Sequence, residues 1–132
     1  MKLLAIDWGE KRLGLAISQD EKWAFPWKVL EITGLTKAIE AISEIIEAEK
    51  IETLVIGLPI GLNGKDTEQT SRIREIVADL RNVLEVPVET VDERLTSEAA
   101  EKLNLESGKT KGPTDAVAAA QILETFLQQK NS

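Results

Sequence analysis

IDWGEKRLGLAIS, residues 6–18, sets an acid at the end of one apolar run and follows it with a glycine, two cations and a second apolar run. Leu3 to Ile6 and Leu13 to Ile17 are short apolar runs, and the polar, glycine-containing WGEKR between them continues neither, so the stretch reads as two strands joined by a turn. Gly9 and Gly14 then permit a tight turn and close strand packing. Asp7 stands where the first strand ends. Such an acid either satisfies turn amides, a common role for Asp, or is the first ligand of a metal site, and nothing within the stretch separates the two.

Outward from this hairpin, FPWKVLEI at 25–32 is a third extended segment that completes an antiparallel meander. Leu35, Ala38, Ile39, Ile42, Ile45 and Ile46 recur at helical spacing opposite Glu40, Glu44 and Glu47, which predicts an amphipathic helix over 35–49. TLVIGLP at 53–59 is a β-rich run stopped by Pro59, as for a strand buried on both faces. After a loop with Asn63-Gly64, Ile73, Ile76, Val77, Leu80 and Leu84 mark a helix from about Thr67, and VPVETVDE at 86–93 is the last strand. A short helix near 97–104 and a loop at 105–112 lead to a final helix with the stripe Ala116, Ala119, Ala120, Leu123 and Leu127, Phe126 beside it. Three strands, then helix, strand, helix, strand, helix is the order of an α/β fold with a five-stranded mixed sheet and helices on both faces.

The bulk numbers fit one domain over residues 1–132, with 42% apolar and 30% charged residues and no run long enough to span a membrane. The apolar N-terminus is too short for a signal-peptide core, so a cytoplasmic location is expected. The chain has no Cys, His or Tyr. Thiol and Ser-His-Asp nucleophiles, Cys/His zinc sites and histidine bases are therefore excluded, and carboxylate-only sites favour hard cations such as Mg²⁺ or Mn²⁺. The net charge of −7 weighs against a broad phosphate-binding surface. Residues 1–30, with five cations and four anions, are the one candidate for a locally basic face.

Asp7 closes the first strand, Glu93 the last, and Asp115 lies in the first turn of the final helix. Acids so placed can converge on one edge of an open α/β sheet, where ligand sites usually lie, provided the first strand and the two later ones run parallel and close together. Within VETVDER, alternation puts Glu89, Val91 and Glu93 on one face and Val88, Thr90 and Asp92 on the other, so Asp92 and Glu93 share a site only if the strand has already ended. Each acid also has a plainer reading: Asp115 gains from the helix dipole after Gly112-Pro113, and Glu93 beside Arg94 forms an exposed ion pair.

IDWGEKRLGLAIS, the VIGLP strand with its NG turn, VDERLTSEAAE and DAVAAAQILETFL together resemble the YqgF (RuvX-like) family over nearly the whole chain. The resemblance implies an RNase H-like fold and a metal-dependent nuclease acting on precursor 16S ribosomal RNA or, as a Holliday junction resolvase, on branched DNA. By position the family's acidic, Mg²⁺- or Mn²⁺-binding catalytic site falls on Asp7, Glu93 and Asp115. It also implies that Lys11 and Arg12 lie near a polynucleotide backbone, with Arg94, Lys109 and Lys111 as further nucleic-acid contacts. RNase H-like nucleases often carry a fourth acid near the last one, whereas GPTDAVAA offers only Asp115, and the preceding loop is sparsely basic.

Two other functions remain open at this stage. One is a non-catalytic RNase H-like module that binds nucleic acid or serves ribosome biogenesis. The other is a nucleotide-binding phosphotransferase, because D-x-G after a first strand also resembles the phosphate loop of actin and sugar-kinase proteins. GLPIGLNG lacks the Gly-Lys-Ser/Thr of a P-loop and reads as a loop beside the site. Trp8, Trp23 and Trp27 could stack on bases, although Trp8, next to Asp7 on a strand, should face away from it into the core. The oligomeric state, monomer or homodimer, is left open.

Overall fold

The computed structural model describes residues 1–95 and 114–131. Five strands, β1 (Leu3–Trp8), β2 (Arg12–Ser18), β3 (Phe25–Glu31), β4 (Thr53–Leu58) and β5 (Val88–Asp92), form one sheet in the order β3-β2-β1-β4-β5. β1 pairs antiparallel with β2 and parallel with β4, and β4 pairs parallel with β5. The expectation that the first strand and the two later ones lie parallel and adjacent therefore holds. Their C-terminal ends share one edge of the sheet.

The helices are α1 (Leu35–Glu49), α2 (Glu68–Val83) and α3 (Thr114–Lys130). Strand alternation explains their placement. Leu4, Ile6 and Trp8 of β1 point into the larger core, with Ala38 and Ile42 of α1 and Ile73, Val77 and Leu80 of α2. Leu3 and Ala5 point the other way, into a second core with Ala119, Ala120, Leu123 and Leu127 of α3. The small alanines of α3 let its axis lie close to the sheet, which matters for the site below.

α2 starts where its sequence says it should. Thr67 accepts a hydrogen bond from Thr70 N–H at 3.2 Å and Thr70 Oγ1 accepts from Thr67 N–H at 3.0 Å, a reciprocal cap that satisfies two otherwise orphaned donors. The last strand is shorter than predicted, ending at Asp92, and Glu93 opens a 3₁₀ turn over Glu93–Leu95. Asp92 causes the stop: its carboxylate accepts the N–H of Arg94, two residues on, at 2.9 Å, closing a side-chain turn that competes with the ladder. The short helix expected near 97–104, the loop at 105–112, Lys109 and Lys111 lie outside the described residues.

Candidate active site

Asp7 lies on the α3 face of β1, with Leu3 and Ala5. Its partner on β2 is Gly14, and the parallel register that sets Ile6 opposite Ile56 leaves Gly57 of β4 on its other side. Both flanking positions thus lack a side chain on this face, and each opening is occupied from elsewhere in the chain. A Cβ on Gly14 would overlap the backbone oxygen and carbonyl carbon of Asp115, because the first turn of α3 rests directly on β2. A Cβ on Gly57 would stand 2.6 Å from Glu93 Oε1 and 2.6 Å from Ile122 Cδ1, because the Glu93 side chain folds back over β4 through that opening. Gly57 shows that a glycine inside a strand can mark such a close approach, a signal that VIGLP carried and that sequence reasoning did not use.

The Asp7 and Glu93 carboxyl groups are hydrogen-bonded to each other. Two carboxyls share such a bond only when one is protonated. Burial pushes the Asp7 carboxyl up, the charge of Asp115 adds to this, and the hydrogen bond from Glu93 opposes it. Burial also pushes Glu93 up, to about 7, helped by the charge and hydrogen bond of Asp7 and the charge of Asp92. Below about 7, then, Glu93 can hold the proton that the pair shares.

Asp115 faces the same region from the opposite side. Asp7, Asp115, Lys11 and Arg12 line one small open cavity of about 180 Å³. Arg12 Nε stands 3.5 Å from Asp115 Oδ2, both side chains being substantially solvated, so the pair is weak. Among the described residues no three acidic side chains are gathered tightly enough to hold one cation. The structure therefore joins Asp7 to Glu93 and sets Asp115 on the wall of a cavity that Asp7 also lines, paired with Arg12.

The β1–β2 turn that carries Lys11 and Arg12 is held at both ends, Gly9 N–H donating to Arg12 O at 3.0 Å and Ile32 N–H to Lys11 O at 2.9 Å. Arg94 pairs with Asp92, Nη2 to Oδ2 at 2.6 Å, which holds the Asp92 carboxyl below the usual carboxylate range. The plainer reading of Glu93 paired it with Arg94; the ion pair that the structure gives Arg94 is with Asp92. Trp8 is buried on the face opposite Asp7, as its position predicts. Trp23, although exposed, lies in the β2–β3 connection, at the end of the sheet where Ser18 pairs with Leu3, away from the acids.

The raised Glu93 group makes a testable statement about the metal-free protein. A carboxyl that binds its proton more tightly in the folded state contributes stability that is fully present below its ordinary value of 4.5 and is lost as pH rises through about 7. Thermal unfolding in chelator is expected to show Tm falling across that window, and Glu93→Gln to flatten the fall. Asp20, Glu21 and Asp92, whose carboxyls are held low by hydrogen bonds, act below the window and do not mask it. A Tm that rises between pH 4.5 and 7 would contradict the assigned contact.

The profile of the family described as "RuvX: Holliday junction resolvase" matches residues 1–129. A protein of Maridesulfovibrio salexigens is 47% identical over 96% of this chain and 98% of its own length, and one of Dictyoglomus thermophilum is 38% identical over 99% and 98%. Both are named "Putative pre-16S rRNA nuclease". The structure of Thermus thermophilus RuvC in complex with a Holliday junction substrate superposes with a TM-score of 0.70, covering 100% of this chain and 96% of that one, at 16% identity. At that identity the likeness shows a shared fold.

Proposed function

Because the chain belongs to the RuvX family, we propose that it is a nuclease that hydrolyses phosphodiester bonds in nucleic acid at the edge where β1, β4 and β5 end. The substrate classes are precursor 16S rRNA, after the names of its relatives, and branched DNA, after the description of its family. The observation that carries the reading is the contact between the carboxyl groups of Asp7 and Glu93. Two half-buried acids held against each other strain a metal-free fold, and a pure structural role for them would be served better by an amide.

The donor set fits a hard divalent cation. It consists of carboxylate oxygens with no nitrogen or sulfur ligand in reach, since the chain has neither His nor Cys. Asp7 and Glu93 would hold the ion, and Asp115 faces them as the third acid. Mg²⁺ or Mn²⁺ would supply activation of the attacking water and neutralisation of charge on the phosphate. This chain's own residues do the rest. Lys11 and Arg12, which line the cavity with Asp7 and Asp115, attract the flanking phosphates to a protein whose net charge of −7 would otherwise repel them. Gly14 and Gly57 leave room for Asp115 and Glu93 to approach Asp7.

The test is cleavage of a precursor 16S rRNA fragment and of a four-way DNA junction by the wild-type protein, with Mg²⁺, with Mn²⁺ and with chelator. Cleavage that chelator abolishes supports the reading. Tight binding without cleavage under either ion would instead identify a binding module that retains the fold.

A further inference from the structure

β4 leads into a turn, residues 59–65, on the same edge of the sheet as Asp7 and Glu93, and this turn is unusually well fastened. Ile60 N–H donates to Leu58 O at 2.9 Å, Gly61 N–H to Lys65 O at 3.0 Å and Gly64 N–H to Gly61 O at 2.8 Å. Asn63 Oδ1 accepts from Lys65 N–H at 3.0 Å. From below, the Thr70 hydroxyl donates to Pro59 O at 2.6 Å, and Asp66 pairs with Arg74 at 2.7 Å as the chain leaves. Gly64, with φ of 80°, makes the reversal that a side chain would resist.

At the tip of this fixed turn stands Leu62, 96% exposed. A lone exposed leucine on a mobile loop needs no explanation. This one stands on a turn whose flanking residues 60, 61, 64 and 65 are all hydrogen-bonded. The exposed side chains that follow it, Asn63 and Lys65, are polar, and the guanidinium of Arg94 lies beside the turn, Nη1 3.5 Å from where a Cβ of Gly64 would be. One isobutyl group among polar ones is far too little apolar area for a protein interface. It is the right size and polarity to enter a step between stacked bases, as apolar wedge side chains do, while the adjacent cations stay on the backbone.

We propose that Leu62 is a wedge that enters a base step of the bound nucleic acid beside the scissile phosphate and unstacks it. The proposal builds on the nuclease reading and adds a substrate preference to it. Opening a step costs least where pairing is already interrupted, so the protein selects branch points, bulges and ends of helices over continuous duplex.

The probe is a hairpin RNA with an unpaired extension, carrying 2-aminopurine at the junction of its paired and single-stranded parts. On stopped-flow mixing, wild type is expected to raise the fluorescence during the binding phase, before any cleavage. Leu62→Ser, a change at a solvated tip that leaves the fold alone, is expected to lose most of the rise, and Leu62→Met to keep it. Where cleavage is followed, Leu62→Ser should lower kcat roughly tenfold with little change in KM and erase the preference for the junction over duplex. An equal rise with wild type and Leu62→Ser, or no rise with either, overturns the wedge. A rise that depends on Leu62 on an RNA that is never cut with Mg²⁺ or Mn²⁺ supports the wedge and overturns the nuclease reading.

Discussion

Asp7→Asn is expected to lower metal-dependent cleavage by roughly a hundred- to a thousand-fold, the usual loss when one charged group of a preorganised site is removed, and to stabilise the metal-free protein at the same time. The two effects have one cause. Asp7 is half-buried, faces the charge of Asp115 and is hydrogen-bonded to Glu93, so its charge is a burden on the metal-free fold. An asparagine keeps the shape and can still bond to Glu93 but carries no charge. Metal-free Tm at pH 8 should rise by a few degrees, on the order of 1 kcal/mol for a domain of this size. Mg²⁺ or Mn²⁺ should raise the Tm of wild type and have little effect on the variant. If Asp7→Asn cleaves as wild type does, Asp7 has no place in the reaction, whatever its Tm.

Gly14→Ala is expected to be the most destabilising single methyl that this chain can receive near the site. The added carbon would collide with the backbone of Asp115 and lie 3.0 Å from the N of Ala116, and backbone in the first turn of a helix packed on the sheet cannot rotate aside. Overpacking of this kind typically costs 1–3 kcal/mol and more where nothing yields, so a loss of about 3 kcal/mol and a Tm lower by roughly 10 °C are expected. Gly57→Ala makes the contrast. Its new methyl meets only the ends of side chains, Glu93 and Ile122, which can swing away at small cost. Stability should fall less, while cleavage falls because Glu93 is pushed off Asp7. Equal Tm for Gly14→Ala and wild type in thermal unfolding would mean that α3 does not rest on β2 as described.

Most of the fold was legible because its signals are local. Periodicity of 3.6 marks α1, the strands are short runs with turn residues between them, and Thr67 announces α2. The alternation of β1 alone sends Asp7 and Trp8 to opposite faces, and the structure places them so. The end of β5 was misjudged by one residue, since Asp92 stops the strand with its own side chain, a competition between side chain and ladder that apolar patterning does not record.

The candidate site was legible as a set of acids and much less as an arrangement. That Glu93 leans onto Asp7 depends on Gly57, fifty residues from one and thirty-six from the other, being bare on the correct face. That Arg12 faces Asp115 is a tertiary fact with no pattern in either neighbourhood. Charges choose partners in space, and Arg94 took Asp92 where adjacency alone suggested Glu93.

The seating of α3 on β1 and β2 also has a consequence in time. A polypeptide is made from its N-terminus, so the strand bearing Asp7 emerges before the helix bearing Asp115, which covers that face of the sheet. Until residues 114–130 leave the ribosome, the apolar surface of Leu3, Ala5 and Ala16 has no cover, and the acids have no common wall. A nascent copy of this chain is therefore without a finished site until residues 114–130 have left the machine whose RNA it is proposed to trim.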